Sequence, residues 1–330
     1  MSINKFISYN EIIIMFFLSK LIYDYHENKK FDLKINESIF NYINRINKSV
    51  DNGLNNPFFI NIKNALIYIY TKYPNSFIYN YISNDTTDIQ SGIIISNNDL
   101  SITFKGTDSL IDCYYDLYFI KRHIDLSNIE IHRGFFEQLM SIFDQLINNI
   151  KKLLLVNPFY NIYITGHSAG AAQGTIFSYL LANMYPNKII KLITFGGPKI
   201  GNFDWYNAFN ACKNIIHYRI TNNSDIITKI PNFKYYHVGT NIKISTNSIY
   251  IYKDTYCCED CCEDCCKNCD CENNNQQCCL KTILNHVNYL NISNHQIDSY
   301  YTNIINNESI WNETLLEYLE NNKKIDIYIF

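Results

Sequence analysis

The residues best suited to chemistry lie in Gly166-His167-Ser168-Ala169-Gly170. This segment follows the apolar run Ile162-Tyr163-Ile164 and precedes Ala171-Ala172-Gln173. A strand that enters a helix through a G-x-S-x-G turn holds its serine in a strained conformation at the top of the sheet. The positions two before and two after that serine must be nearly free of side chain for strand and helix to approach, and Gly166 and Gly170 supply this. The turn also sets Ser168 at a helix N-terminus, where the dipole and the N–H groups favour negative charge. A serine so placed is a candidate nucleophile for acyl transfer.

A serine hydroxyl needs a base, and the base needs an orienting carboxylate. In the α/β-hydrolase arrangement to which this turn belongs, they follow in the order Ser, Asp or Glu, His. The run Ile215–Ile220 reads as a late strand, and the residues after it, Thr221 to Ile227, form a loop that carries Asp225. Asp225 is the candidate acid. Three histidines lie beyond it: His237, His286 and His295. His237 falls within an alternating strand pattern from Tyr235 to Ile244, which suits a structural role. His286 and His295 remain as candidate bases.

These groups need a scaffold. Residues 8–27 read as a buried first helix and Asn56–Tyr73 as a second, ended by Pro74. Residues 77–82, 91–96 and 99–104 read as short strands, and Ile129–His132 as another. Gly134–Leu155 has helical periodicity, with Phe135, Leu139, Phe143, Leu146 and Ile150 near one face. Then come strand Ile162–Thr165, helix 169–184, strand Ile189–Phe195, helix 203–212 and strand Ile215–Ile220. Strands alternating with helices predict a mostly parallel central sheet flanked by helices, an α/β fold. No internal repeat or second boundary is visible, so residues 1–330 read as one domain.

Composition narrows the partners. With 47% hydrophobic residues among 330, a large core can be buried. A formal charge of −3 and the lack of a Lys/Arg run supply no field for nucleic acid. The apolar run Ile12–Leu18 is too short to span a bilayer, and no small-x-small cleavage site follows it. No transmembrane segment is expected, and both a secreted and a cytoplasmic location fit. Nothing in the sequence sets the oligomeric state. Of 12 cysteines, ten fall between Cys257 and Cys279, in pairs interleaved with acids. This tract reads as a low-complexity insertion, with a soft-metal cluster and a disulfide-dense loop as rivals. The proposed chemistry calls for no metal and no organic cofactor.

Five motifs, in order, resemble those of the class 3, fungal-lipase-like triacylglycerol lipases over roughly residues 10–300. They are Ile102-Thr103-Phe104-Lys105-Gly106-Thr107-Asp108-Ser109, His132-Arg133-Gly134-Phe135, the Gly166–Gly170 elbow, Thr194–Asn202, and Arg219–Pro231 with His237-Val238-Gly239. The resemblance implies an α/β-hydrolase fold and hydrolysis of a lipid ester at a lipid–water interface, triacylglycerol above all. Phospholipase A1, diacylglycerol lipase and soluble esterase activities are the alternatives, and an inactive lipid- or metal-binding relative is the non-enzymatic one. It also implies that Asp225 is the catalytic acid and that the N–H groups of Thr107 and Ala169 form the oxyanion hole. Asp108–Tyr118 falls where relatives carry an amphipathic lid. Lys105 replaces the usual Arg, and Thr228 stands where the acid loop usually has Pro. Leu284–Leu290 and Asn294–Tyr300 resemble the His-bearing endings of two branches; His286 is preferred as base, with His295 the alternative.

Overall fold

Eight strands of the computed structural model form one sheet with a parallel centre. The structure describes residues 7–27, 36–42, 44, 67, 69, 71, 74–107, 121–123, 128–223, 225–231, 234–253 and 292–311. In chain order the elements are α1 (Tyr9–Glu27), β1 (Phe77–Asn84), β2 (Ile89–Ser96), β3 (Asp99–Phe104), β4 (Lys121–His123) and β5 (Glu130–His132). There follow α2 (Arg133–Val156), β6 (Asn161–His167), α3 (Ala169–Met184), β7 (Ile190–Phe195), α4 (Phe203–Ala211) and β8 (Ile215–Asn222). Last come β9 (Thr240–Ser245), β10 (Ser248–Lys253) and α5 (Ile297–Asn306).

The sheet order is β1-β2-β3-β6-β7-β8-β9-β10. Strands β3, β6, β7, β8 and β9 run parallel, while β1, β2 and β10 are antiparallel to their neighbours. A separate pair, β4 with β5, forms a small antiparallel ribbon. The parallel strands put their C-terminal ends on one edge of the sheet, where Gly106, Ser168, Gly196 and Asp225 gather. This is the α/β-hydrolase architecture.

Both faces are covered because each strand alternates its side chains between them. Leu192 joins a core with Ile164, Ile176, Leu139, Ile150 and Trp205 under α2, α3 and α4. Its neighbour Ile193 joins the opposite core, with Phe16, Phe195, Ile220, Ile242 and Tyr300 under α1 and α5. Helix α1 is buried without a break from Ile12 to Ile22, so it is apolar all round rather than amphipathic. Sheet threonines fasten it: Thr103 Oγ1 donates to Leu18 O at 3.2 Å and Thr165 Oγ1 to Met15 O at 3.2 Å. At its start, Ser8 and Glu11 cap each other, the Ser8 N–H donating to the Glu11 carboxylate at 2.8 Å and the Glu11 N–H to Ser8 Oγ at 3.2 Å.

Most expected boundaries hold to within a few residues. The expected helix over Asn56–Tyr73 lies almost wholly outside the described residues, which include helical positions only at 67, 69 and 71. The strand expected from Tyr235 begins instead at Thr240; Tyr236 makes only an isolated bridge to Gly201. Strands β4 and β10 have no counterpart among the expected elements. Among the described residues no helix is long and apolar enough to cross a membrane. The segments Asp108–Tyr118 and Cys257–Cys279 lie outside the described residues.

Candidate active site

Ser168 sits between β6 and α3 with φ 58° and ψ −126°. A non-glycine residue held there costs on the order of 1–3 kcal/mol, which the surroundings must offset. They do so by close backbone contact. The Ser168 N–H donates to Phe195 O of β7 at 3.0 Å. A Cβ on Gly166 would stand 2.4 Å from Gly170 O, and one on Gly170 would stand 2.3 Å from Phe104 O. The elbow is therefore jammed against the end of β3. From there the chain runs past Ser168, since a Cβ on Gly106 would lie 2.5 Å from His167 O and 3.0 Å from Ser168 Cβ. Thr107, the residue after Gly106, is half-buried, and Ala169 is buried at the first position of α3.

Asp225 follows β8, as expected from the strand end. Its Oδ1 accepts the Ile227 N–H at 2.9 Å. Its Oδ2 accepts twice, from His295 Nδ1 at 2.8 Å and from the Tyr300 hydroxyl at 2.6 Å. With Nδ1 carrying the proton, His295 Nε2 is an acceptor for the Ser168 hydroxyl, at 2.8 Å. Ser168, His295 and Asp225 are all fully buried. The histidine brought between serine and acid is thus His295, the alternative; the preferred His286 lies outside the described residues. Tyr300, at the end of the Asn294–Tyr300 segment, joins the acid and the histidine with no sequence signal of its own. Its burial, with the Asp225 charge behind it, pushes the phenol well above its usual range, so it remains a donor.

The segment bearing His295 is anchored by Asn222, the last residue of β8. Asn222 Nδ2 donates to Asn294 O at 2.9 Å and to Ser299 Oγ at 2.8 Å, and its Oδ1 accepts from Asn303 Nδ2 at 2.6 Å. Its N–H donates to the Tyr300 hydroxyl at 3.1 Å. Gly196, at φ +59°, makes room: a Cβ there would stand 3.1 Å from each of Asp225 Oδ2, His295 Cε1 and Tyr300 OH. Both residues fall in the Thr194–Asn202 and Arg219–Pro231 motifs, but nothing local spells out this role, because the partners of Asn222 lie 72 to 81 positions away.

His167 adds a second set of contacts. Its Nε2 lies 2.9 Å from His295 O, a carbonyl that can only accept, so Nε2 carries the proton. Nδ1 then accepts from the Tyr23 hydroxyl at 3.0 Å. The His167 and His295 rings stack at 4.8 Å. Helix α1 therefore reaches the site through Tyr23. Lys105, in place of the usual Arg, holds its ammonium 5.7 Å from the centre of the Tyr23 ring. Thr228, in place of the usual Pro, donates its hydroxyl to Asp225 O at 2.8 Å and stiffens the acid loop. His237 is structural: its Nε2 donates to Thr228 O at 2.6 Å. Among the described residues no group of three or more His, Cys, Asp or Glu is arranged to hold a metal ion.

Three buried histidines give the fold a pH dependence. Desolvation pushes His167, His217 and His237 well below the usual imidazole range. The His295 charge adds to this at His167 and the Arg219 charge at the other two. Above about pH 6.5 both folded and unfolded chains keep these rings neutral. Below it the unfolded chain takes up protons that the native state refuses, so stability falls with pH, by up to about 1.4 kcal/mol per unit for each ring. Urea midpoints between pH 7.5 and 5 should therefore decline progressively. A flat profile would show that these rings protonate in place.

Residues 101–235 match the sequence profile of the family described as Lipase (class 3). A lipase of Rhizopus niveus is 27% identical over 164 residues, which cover 46% of this chain and 40% of that protein. Phospholipase A1-II 1 of Oryza sativa subsp. indica is 34% identical over 106 residues, covering 31% and 27%. The chain thus spans less than half the length of either relative. The crystal structure of a lipase from Rhizopus microsporus var. chinensis superposes with a TM-score of 0.57 at 19% identity, covering 72% of this chain and 74% of that one.

Proposed function

We propose, from the match of residues 101–235 to the class 3 lipase profile, that this chain is a serine hydrolase of lipid carboxylic esters. Its proposed substrate is a triacylglycerol and its proposed triad Ser168, His295 and Asp225. The observation that carries the reading is the unbroken line of contacts from Ser168 Oγ to His295 Nε2 at 2.8 Å and from His295 Nδ1 to Asp225 Oδ2 at 2.8 Å, set at the strained turn.

In the reaction, Ser168 Oγ attacks the ester carbonyl carbon and His295 Nε2 takes its proton. The Asp225 carboxylate, held by Tyr300 and the Ile227 N–H, stabilises the imidazolium and fixes its tautomer. The Thr107 and Ala169 N–H groups receive the oxyanion, each worth about 3 kcal/mol of barrier. His295 then returns the proton to the departing alcohol, leaving an acyl-Ser168. Water, deprotonated by the same nitrogen, attacks that ester and releases the fatty acid.

The test is hydrolysis of emulsified triacylglycerol and of a short soluble ester by the wild type and by Ser168→Ala. Turnover that vanishes in the variant identifies the nucleophile. The ratio of the two substrates separates a lipase from an esterase. A folded wild type inert on both, and on phospholipid, would overturn the reading. Phospholipid sn-1 hydrolysis is the second reading, favoured by the likeness to the rice phospholipase A1.

A further inference from the structure

Helix α2 changes character in its last turn. Its buried stripe runs from Phe135 through Leu139, Leu146 and Ile150 to Leu153 and Leu154. The solvent-facing rows carry Asp144, Asn148, Lys151 and Lys152, and then end in Leu155 and Val156. These two side chains are 84% and 82% exposed, and Phe159, just beyond the helix, is 83% exposed. They are the three most exposed large apolar side chains among the described residues. Met184, the last residue of α3, and Ile189, in the connection from α3 to β7, are also exposed. The two connections are tied together, because Lys188 Nζ donates to Pro158 O and Asn214 Nδ2 bonds to Lys188 O at 3.2 Å.

The apolar cluster is ringed by cations. Lys151 and Lys152 lie one turn before Leu155 and Val156, Lys188 lies across from Phe159, and Lys213 precedes the Asn214 that joins them. Of the acids at this end of the sheet, Asp99 is bonded to Asn161 at 2.8 Å, and Glu11 pairs with Lys191 and accepts from the Tyr163 hydroxyl. The excess is local, since the whole chain carries a formal charge of −3. Exposed aliphatic and aromatic tips with lysines on flexible stems beside them match the boundary between acyl chains and anionic headgroups. Two copies of the chain meeting through this patch would bring like charges together, which argues against self-association.

We propose that the end of the fold formed by Lys151, Lys152, Leu155, Val156, Phe159 and Lys188 docks on an anionic lipid surface. It lies at the N-terminal end of the seven-residue strand β6, about 20 Å from the Ser168 turn at the other end. Docking there holds the catalytic end away from the surface that is gripped. The patch is therefore a tether, separate from the substrate opening, and it stands whether or not the chain hydrolyses lipid.

The test uses full-length protein in the Ser168→Ala background, so that vesicles survive, with co-sedimentation on two kinds of vesicle. One is phosphatidylcholine alone and the other equal parts phosphatidylcholine and phosphatidylserine. Binding is expected only to the second, and to weaken as salt rises. It should fall at least about tenfold with Lys151→Glu/Lys152→Glu, and likewise with Val156→Asp/Phe159→Asp. All these positions are exposed, and unchanged thermal melts would confirm that the variants fold. With Ser168 restored, the same patch variants should keep wild-type turnover of a soluble ester. Equal binding to both vesicles, binding that ignores both variants, or no binding at all would overturn the tether. So would concentration-dependent dimers abolished by Val156→Asp/Phe159→Asp, which would make a second copy the occupant.

Discussion

His295→Ala should lower ester turnover by about 10⁴-fold with little change in KM, while His286→Ala should remain within about twofold of wild type. The asymmetry follows from position. His295 Nε2 and Nδ1 each lie 2.8 Å from their partners, Ser168 Oγ and Asp225 Oδ2. Without the imidazole, the serine proton has no acceptor and Asp225 keeps a buried charge held by Tyr300 and the Ile227 N–H without its histidine partner. Residual hydrolysis would come from the oxyanion donors and substrate binding. Initial rates on a soluble ester, with a circular dichroism spectrum to exclude misfolding, decide the matter. An active His295→Ala beside an inactive His286→Ala would transfer the role to His286.

The second large effect is structural and sets one glycine of α3 against another. Gly170→Ala puts a Cβ 2.3 Å from Phe104 O and 2.8 Å from Lys105 C, backbone atoms at the end of a central strand that have nowhere to go. We expect a loss of about 3 kcal/mol or more, or a chain that fails to accumulate folded. Gly174→Ala, one turn later, has side chains as its nearest neighbours, Ile164 Cγ2 at 3.3 Å and Phe104 Cδ2 at 3.4 Å, with the backbone Thr165 O at an ordinary contact distance of 3.6 Å. The side chains can shift slightly, and alanine in a helix interior gains up to about 1 kcal/mol over glycine. That variant should be neutral or slightly stabilised. Denaturant midpoints measure both. A Gly170→Ala protein as stable as wild type would mean that strand and helix do not meet as closely as described.

What the sequence disclosed was whatever is written locally. The Gly166–Gly170 turn is sandwiched between an apolar run and a helix, and Asp225 directly follows a strand, so both could be placed from their neighbours. Helix α3 and strands β3, β6 and β7 are bounded by turn residues and were recovered nearly to the residue. The choice of base was not local. What favours His295 is Asn222 holding Asn294 and Ser299, contacts that span 72 and 77 positions and leave no periodic trace. Two histidines nine positions apart, each in a passable ending, looked alike without that information. Strand β10 went unseen because it is an edge strand with polar neighbours, and β4 is only three residues long. The strand expected from Tyr235 misread an alternation that serves a loop, where His237 turns inward to Thr228 instead of pairing in the sheet.

The burial of α1 on every side has a consequence for how the molecule is made. Part of its cover comes from the far end of the chain: Phe16 stacks on Tyr301 with ring centres 6.1 Å apart, and Lys20 pairs with Asp298 across 278 positions. During synthesis α1 emerges well before the segment around Asp298 and Tyr301, and part of its apolar surface stays unsealed until that segment arrives. Contacts of such separation form slowly, and unsealed apolar surface invites aggregation in the interval. The same late segment delivers His295. A ribosome-bound chain that holds Ser168 and Asp225 but not yet His295 lacks the proposed base, so sealing the core and completing the proposed triad become one event.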